Sequence, residues 1–201
     1  MIQADAIREY LTRHGTELGW ILLGHAAAFI GGIAGVKILT VTLGPGGYGS
    51  FALGLSIAGL LTSFVHNPVS NAVARYLAVY RERGQTKLYL ETMLTLQGRL
   101  ALFSFVVLGL ALLLGTVALG GSWGILLAAG IAYGAANGAG VIFLAWQNAA
   151  RDRRRATLAQ IADVWLRISI AIMLIRAVND SRLAVVGYAV GSLLVALWQW
   201  Y

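Results

Sequence analysis

Six apolar runs of roughly bilayer length alternate along the chain with short polar or basic connections. They cover residues 18–43, 48–65, 100–119, 123–146, 158–178 and 183–200. A helix needs about 20 apolar residues to cross a hydrocarbon core about 30 Å thick, so each run predicts a transmembrane helix. Two further segments are patterned but are not spans. Around residues 1–17, Ile7, Tyr10, Leu11 and Leu18 recur at helical spacing beside Asp5, Arg8, Glu9 and Arg13, which predicts a short amphipathic helix at the membrane surface. Over 69–87, Val69, Val73, Tyr76, Leu77 and Tyr80 alternate with Asn71, Arg75, Arg81 and Arg83, which predicts a cytoplasmic amphipathic extension in the headgroup region. The expected organisation is an interfacial segment, 1–17, followed by one all-α transmembrane lobe, 18–201.

The connections are as informative as the runs. Gly44-Pro45-Gly46-Gly47-Tyr48-Gly49 joins the first two spans and predicts a tight turn. It also spells G-x-G-x-x-G, but that dinucleotide fingerprint needs a preceding strand inside a βαβ unit, and here it separates two bilayer-length runs. Pro68 lacks an amide hydrogen and predicts a kink or break near His66. Gly130, Gly134 and Gly138 stand four residues apart on one side of the fourth run, a spacing that lets a second helix backbone approach closely.

Charge then orients the bundle. Of 15 Lys and Arg, Arg8, Arg13, Arg75, Arg81, Arg83, Lys87, Arg151, Arg153, Arg154 and Arg155 fall on one side, and only Arg176 and Arg182 on the other. Basic residues near span ends stay in the cytoplasm, so both termini are expected there and the Leu43–Gly49 turn outside. The net charge of +7 is thus spent at membrane edges and gives no nucleic-acid signal. Residues are 59% hydrophobic and 11% charged, far from the usual soluble balance of about 45–50% apolar and about 25% charged. The chain contains no cysteine, which closes disulfide, thiolate-metal and cysteine-nucleophile chemistry.

Catalytic chemistry finds little support. Gly54-Leu55-Ser56-Ile57 resembles the nucleophile of intramembrane serine proteases only loosely: Ile57 replaces the glycine that should follow the serine, and no histidine follows His66 to act as base. No metal-ligand cluster is apparent and no cofactor is expected. The informative groups are charges inside the spans, which are costly in hydrocarbon and usually face a bundle interior or a watery cavity. Arg167 lies 12 residues past Arg155, roughly 18 Å deep, and Asp163 precedes it by one turn, an i,i+4 spacing that predicts a neutralising ion pair. Lys37 lies seven residues before Gly44, roughly 10 Å from the outer end of its helix; snorkelling to the interface and a cavity role remain open alternatives. Arg99 is expected to anchor the cytoplasmic edge of the third span, and His25 to be packed and hydrogen-bonded.

The run Leu43-Gly-Pro-Gly-Gly-Tyr-Gly-Ser-Phe-Ala-Leu53, followed after the second span by Ala74-Arg75-Tyr76-Leu77-Ala78-Val79-Tyr80-Arg81-Glu82, resembles the amino-terminal part of Wzx-type polysaccharide and O-antigen flippases of the multidrug/oligosaccharidyl-lipid/polysaccharide exporter superfamily. The resemblance implies a multi-pass protein of the bacterial cytoplasmic (inner) membrane that flips an undecaprenyl diphosphate-linked oligosaccharide, and is not an enzyme. Such proteins pair two six-helix lobes about a cationic cavity. Their usual length implies that this chain is one lobe, whose missing second lobe comes in cis or from another copy. By the same resemblance, Lys37, Arg167 and His66 would contact substrate in the cavity and Arg75 would attract anionic headgroups at its mouth. Membrane lipid and the lipid-linked oligosaccharide are the expected partners. The alternatives are a drug/cation antiporter of the same superfamily, which would want cavity carboxylates where only Asp163 is on offer, and a non-transporting scaffold subunit.

Overall fold

The computed structural model describes residues 2–118, 121–178 and 180–200, with the side chains of 2–14 and Ser122 outside the described set. Its elements are α1 (Ile2–Leu61), a π-helical turn (Thr62–His66), α2 (Asn67–Glu82), α3 (Thr86–Ala118), α4 (Gly121–Ala149), α5 (Arg153–Val178) and α6 (Leu183–Trp200). No strand occurs among the described residues. Among the described residues, five helical stretches are long and apolar enough to cross a membrane: Gly15–Glu82, Thr86–Ala118, Trp123–Ala149, Arg153–Val178 and Leu183–Trp200.

The first stretch, 68 residues, would reach about 100 Å if straight, some three bilayer cores. It does not run straight. Gly44 alone leaves helical geometry, at φ 65° and ψ 178°, a conformation that glycine adopts without the Cβ clash other residues meet. Pro45 then opens the following arm, where its missing N–H costs nothing and its fixed φ suits a helix start. Packing shows that the chain reverses there. The arm before Gly44 advances in step with α5: Gly24 lies against Thr157 and Gln160, Gly31 against Val164, Gly35 against Ile168. The arm after it advances with α4, since Gly130 faces the Gly54 carbonyl and Gly134 the Ala58 carbonyl. Ring contacts of Tyr133 with Tyr188 and Phe143 with Trp200 make α6 parallel to α4. Gly187 against Ala171 and Gly191 against Arg167 make α6 antiparallel to α5. The two arms of α1 are therefore antiparallel, and the turn expected over 43–49 narrows to one residue.

The kink or break expected near His66 takes the form of a five-residue π turn that ends there, with the Asn67 N–H donating to the Thr62 carbonyl, so the carbonyl that the Pro68 ring would strike is moved aside. Two other expectations are corrected. α3 starts at Thr86, well before the apolar run at 100. Residues from Ile2 continue into α1 without interruption, so the short amphipathic segment is not a separate helix.

The core lies where α4, α5 and α6 meet both arms of α1, around Leu39, Phe51, Leu126, Ile168, Val185 and Tyr188. Small residues make it possible. A Cβ on Gly187 or Gly191 would strike the α5 backbone at Ala171 or Arg167, so these helices touch main chain to main chain. By contrast, α3 meets α4 near the Gly115–Gly124 approach and leaves Leu102, Phe105, Leu113 and Val117 uncovered by protein.

Candidate functional site

The centre of the α4–α5–α6 wedge is polar. Arg167 on α5 donates to the Tyr133 hydroxyl on α4 at 2.6 Å, lies 3.2 Å from the Asp163 carboxylate and stacks over the Tyr188 ring of α6 at 5.5 Å. Asp163 in turn accepts from the Ser192 hydroxyl of α6 at 2.6 Å. The i,i+4 spacing on α5 builds the ion pair. Its remaining partners come from the two neighbouring helices, which sequence spacing could not reveal. Side chains of Arg167 and Asp163 are only 20% and 23% exposed. The Asp163 carboxylate offsets the charge of Arg167, which weakens its pull on an incoming anion. Beside Asp163 a recess of about 70 Å³ lies between the three helices, bordered by Asn137, Gln160, Ser192 and Gln199 together with the apolar Val141, Leu144 and Val195.

Lys37 is set quite differently. The face of α1 that packs on α5 carries Gly24, Gly31, Gly35 and Leu39; two residues on from Gly35, Lys37 is turned about 200° around the helix. It lies in a shallow groove with Phe29, Gly32, Ile33 and Val36, uncovered by protein. No ion pair or hydrogen bond engages it among the described residues. His25 shares this uncovered character, contrary to the packed position expected from its apolar surroundings, because the adjacent Gly24 takes the helix contact instead. The structure thus separates Lys37 from Arg167.

His66 ends the π turn and is 2% exposed. Its imidazole occupies the space a Cβ on Gly138 would need, which explains the last glycine of the row on α4. One turn earlier, Thr62 donates to the Gly134 carbonyl at 3.3 Å and accepts from the Asn137 amide at 3.4 Å. Arg75 is exposed on α2 with its guanidinium 5.7 Å from the Tyr76 ring centre, while Val73 and Leu77 of the same helix are buried. Exposed Arg81, Arg83 and Lys87 extend this basic foot, and Arg99 is likewise uncovered on α3. No group of three or more His, Asp or Glu able to hold a metal ion occurs among the described residues. The Ser56 hydroxyl is spent on the carbonyl of Ala52, 2.9 Å away.

Searches of curated proteins and of solved structures returned no match. A family model described as polysaccharide biosynthesis protein matches residues 15–201, from the first apolar helix to the end of the chain. With several apolar helices able to cross a bilayer, a charged network at their centre and this match along nearly its whole length, the chain is a multi-pass membrane protein and belongs to the polysaccharide biosynthesis family of Wzx-type flippases and related exporters.

Proposed function

We propose that this chain is a six-span lobe of a flippase that moves an undecaprenyl diphosphate-linked oligosaccharide across the bacterial cytoplasmic membrane for polysaccharide export, with both termini in the cytoplasm and a second lobe supplied in cis or by another copy. Gly44 is then the outer corner of the first hairpin, and Arg75, Arg81, Arg83 and Lys87 form its cytoplasmic foot, as the positive-inside rule requires. The protein acts as a transporter and catalyses no covalent chemistry.

The observation that carries this reading is the unpaired ammonium of Lys37 on a face of α1 that nothing in this lobe covers. An unneutralised cation in the membrane faces a watery cavity or a charged partner, and a diphosphate is such a partner. Arg75 attracts anionic headgroups at the cytoplasmic mouth. Arg167 is assigned to the structural pair with Asp163. That same pairing disfavours a cation antiporter, since the one carboxylate buried among the wedge helices is occupied.

Complementation of polysaccharide export tests the proposal. Lys37→Gln is expected to reduce export at least about tenfold, the effect of losing about 1.4 kcal/mol of substrate interaction, at unchanged protein level, whereas Lys37→Arg retains most of it. Wild-type export by Lys37→Gln would remove Lys37 from substrate handling and favour a scaffold role.

A further inference from the structure

The turn between α4 and α5 carries the densest run of cations in the chain, Arg151-Asp152-Arg153-Arg154-Arg155, and none of them belongs to the wedge or to the Lys37 face. Its arginines are not alike. Arg153 is partly buried and donates from Nη1 to Asn148 Oδ1 at 2.6 Å. Arg155 lies 3.4 Å from the Asp152 carboxylate. Arg151 and Arg154 are exposed, and their guanidinium groups have neither a hydrogen bond nor an ion pair among the described residues.

Arg151 is the sharper case. It holds φ 63°, and the other left-handed positions among the described residues are Gly44 and Gly84, as expected where a Cβ meets a clash. The Arg151 and Asp152 N–H groups donate to the Asn148 and Gln147 carbonyls and close α4 there, an end that glycine usually takes. In a chain with 25 glycines, an arginine kept in that conformation points to a use for its side chain. The surface beyond the turn is apolar. Leu158 and Trp165 stand four and eleven residues on from Arg154, within about 40° of it around the helix. Leu166 and Met173 stand eleven and eighteen residues on from Arg155, within about 20°. All four are exposed, so the cations head two apolar tracks that run about 16–27 Å along α5.

We infer that the α4–α5 turn binds an anionic phospholipid, with its phosphate held by Arg151 and Arg154 beside Arg155 and its acyl chains along the exposed tracks of α5. Charge selects the head. The run sets four arginines against one aspartate, and an unpaired guanidinium can bond two phosphate oxygens at once. A zwitterionic head would bring its own ammonium toward the same arginines, which repel it. The tracks select a lipid over a soluble phosphate, since Leu158, Trp165, Leu166 and Met173 are covered only by something apolar. The site requires only that the protein spans a membrane, so it stands or falls without the transport reading.

The test uses the purified full chain in phosphatidylcholine nanodiscs containing a trace of phosphatidylglycerol with a diazirine in its acyl chain. Expected adducts concentrate within residues 158–173. Unlabelled phosphatidylglycerol should compete at least tenfold better than added phosphatidylcholine, and soluble glycerol phosphate should not compete. Arg151→Gln combined with Arg154→Gln should reduce labelling of 158–173 at least tenfold, whereas Arg81→Gln with Arg83→Gln, which removes the same charge from α2, should change it less than about twofold. Labelling spread evenly over all lipid-facing helices, equal competition by the two phospholipids, displacement by glycerol phosphate, or equal losses in the two double variants would each overturn the inference. The wild-type adduct map and competition ratio decide even should a variant not accumulate.

Discussion

Two regions of this molecule handle charge in opposite ways. In the α4–α5–α6 wedge, Arg167 is engaged: its Nη1 meets Asp163 and Tyr133, its guanidinium lies over the Tyr188 ring, and Ser192 donates to the carboxylate. On the outer face of α1, Lys37 has none of this. The wedge helices α5 and α6 approach backbone to backbone through Gly187 and Gly191, while the α1 face is open along several turns. A half-buried pair with partners on the neighbouring helices specifies how helices fit; a cation with none is left available. Depth in the membrane alone, the quantity a sequence reveals, does not distinguish the two.

That contrast can be broken from either side. Asp163→Leu leaves Arg167 buried without a counter-charge and should cost about 3–5 kcal/mol, visible as lost accumulation or a large fall in Tm. The double variant Asp163→Leu/Arg167→Met should recover most of it, since no charge is then stranded. Gly187→Val forces a side chain into the Ala171 backbone and is expected to cost about 1–3 kcal/mol, read as a lower Tm in detergent. Thr62→Val removes the hydroxyl bonded to the Gly134 carbonyl and the Asn137 amide, with an expected loss of about 1 kcal/mol. Lys37→Gln should change stability least, within about 0.5 kcal/mol, while its effect on export is the greatest of the set. A Lys37 variant that lowered Tm as Asp163→Leu does would show that the two cations share a structural role.

Much of this arrangement is legible in the sequence where periodicity is local. The apolar runs locate the helices, and i,i+4 spacing identifies the Asp163–Arg167 pair and the glycine row of α4, whose members meet Gly54, Ala58 and His66. What depends on other helices is not legible. Tyr133, Tyr188 and Ser192 are an unremarked phenol, ring and hydroxyl until tertiary packing brings them to α5. His25 reads as a buried polar group on an apolar helix, yet Gly24 beside it takes the contact with the side chains of Thr157 and Gln160. Five Gly and Pro residues between 43 and 49 suggest a loop, but one positive φ followed by Pro45 suffices to reverse the chain. Pro68 predicts a kink or break near His66, and the missing N–H alone does not specify that it takes the form of a π turn.

The central claim, that Lys37 faces a watery path for an anionic substrate while Arg167 is sealed into the fold, can be tested directly because the chain has no cysteine. Lys37→Cys and Arg167→Cys, each alone, are exposed in membrane vesicles to a charged, membrane-impermeant maleimide with and without lipid-linked oligosaccharide. Position 37 should label, with the rate falling when substrate is present, and position 167 should not. An unreactive cysteine at 37, as a lipid-facing residue would give, or a faster reaction at 167 than at 37, would contradict the account.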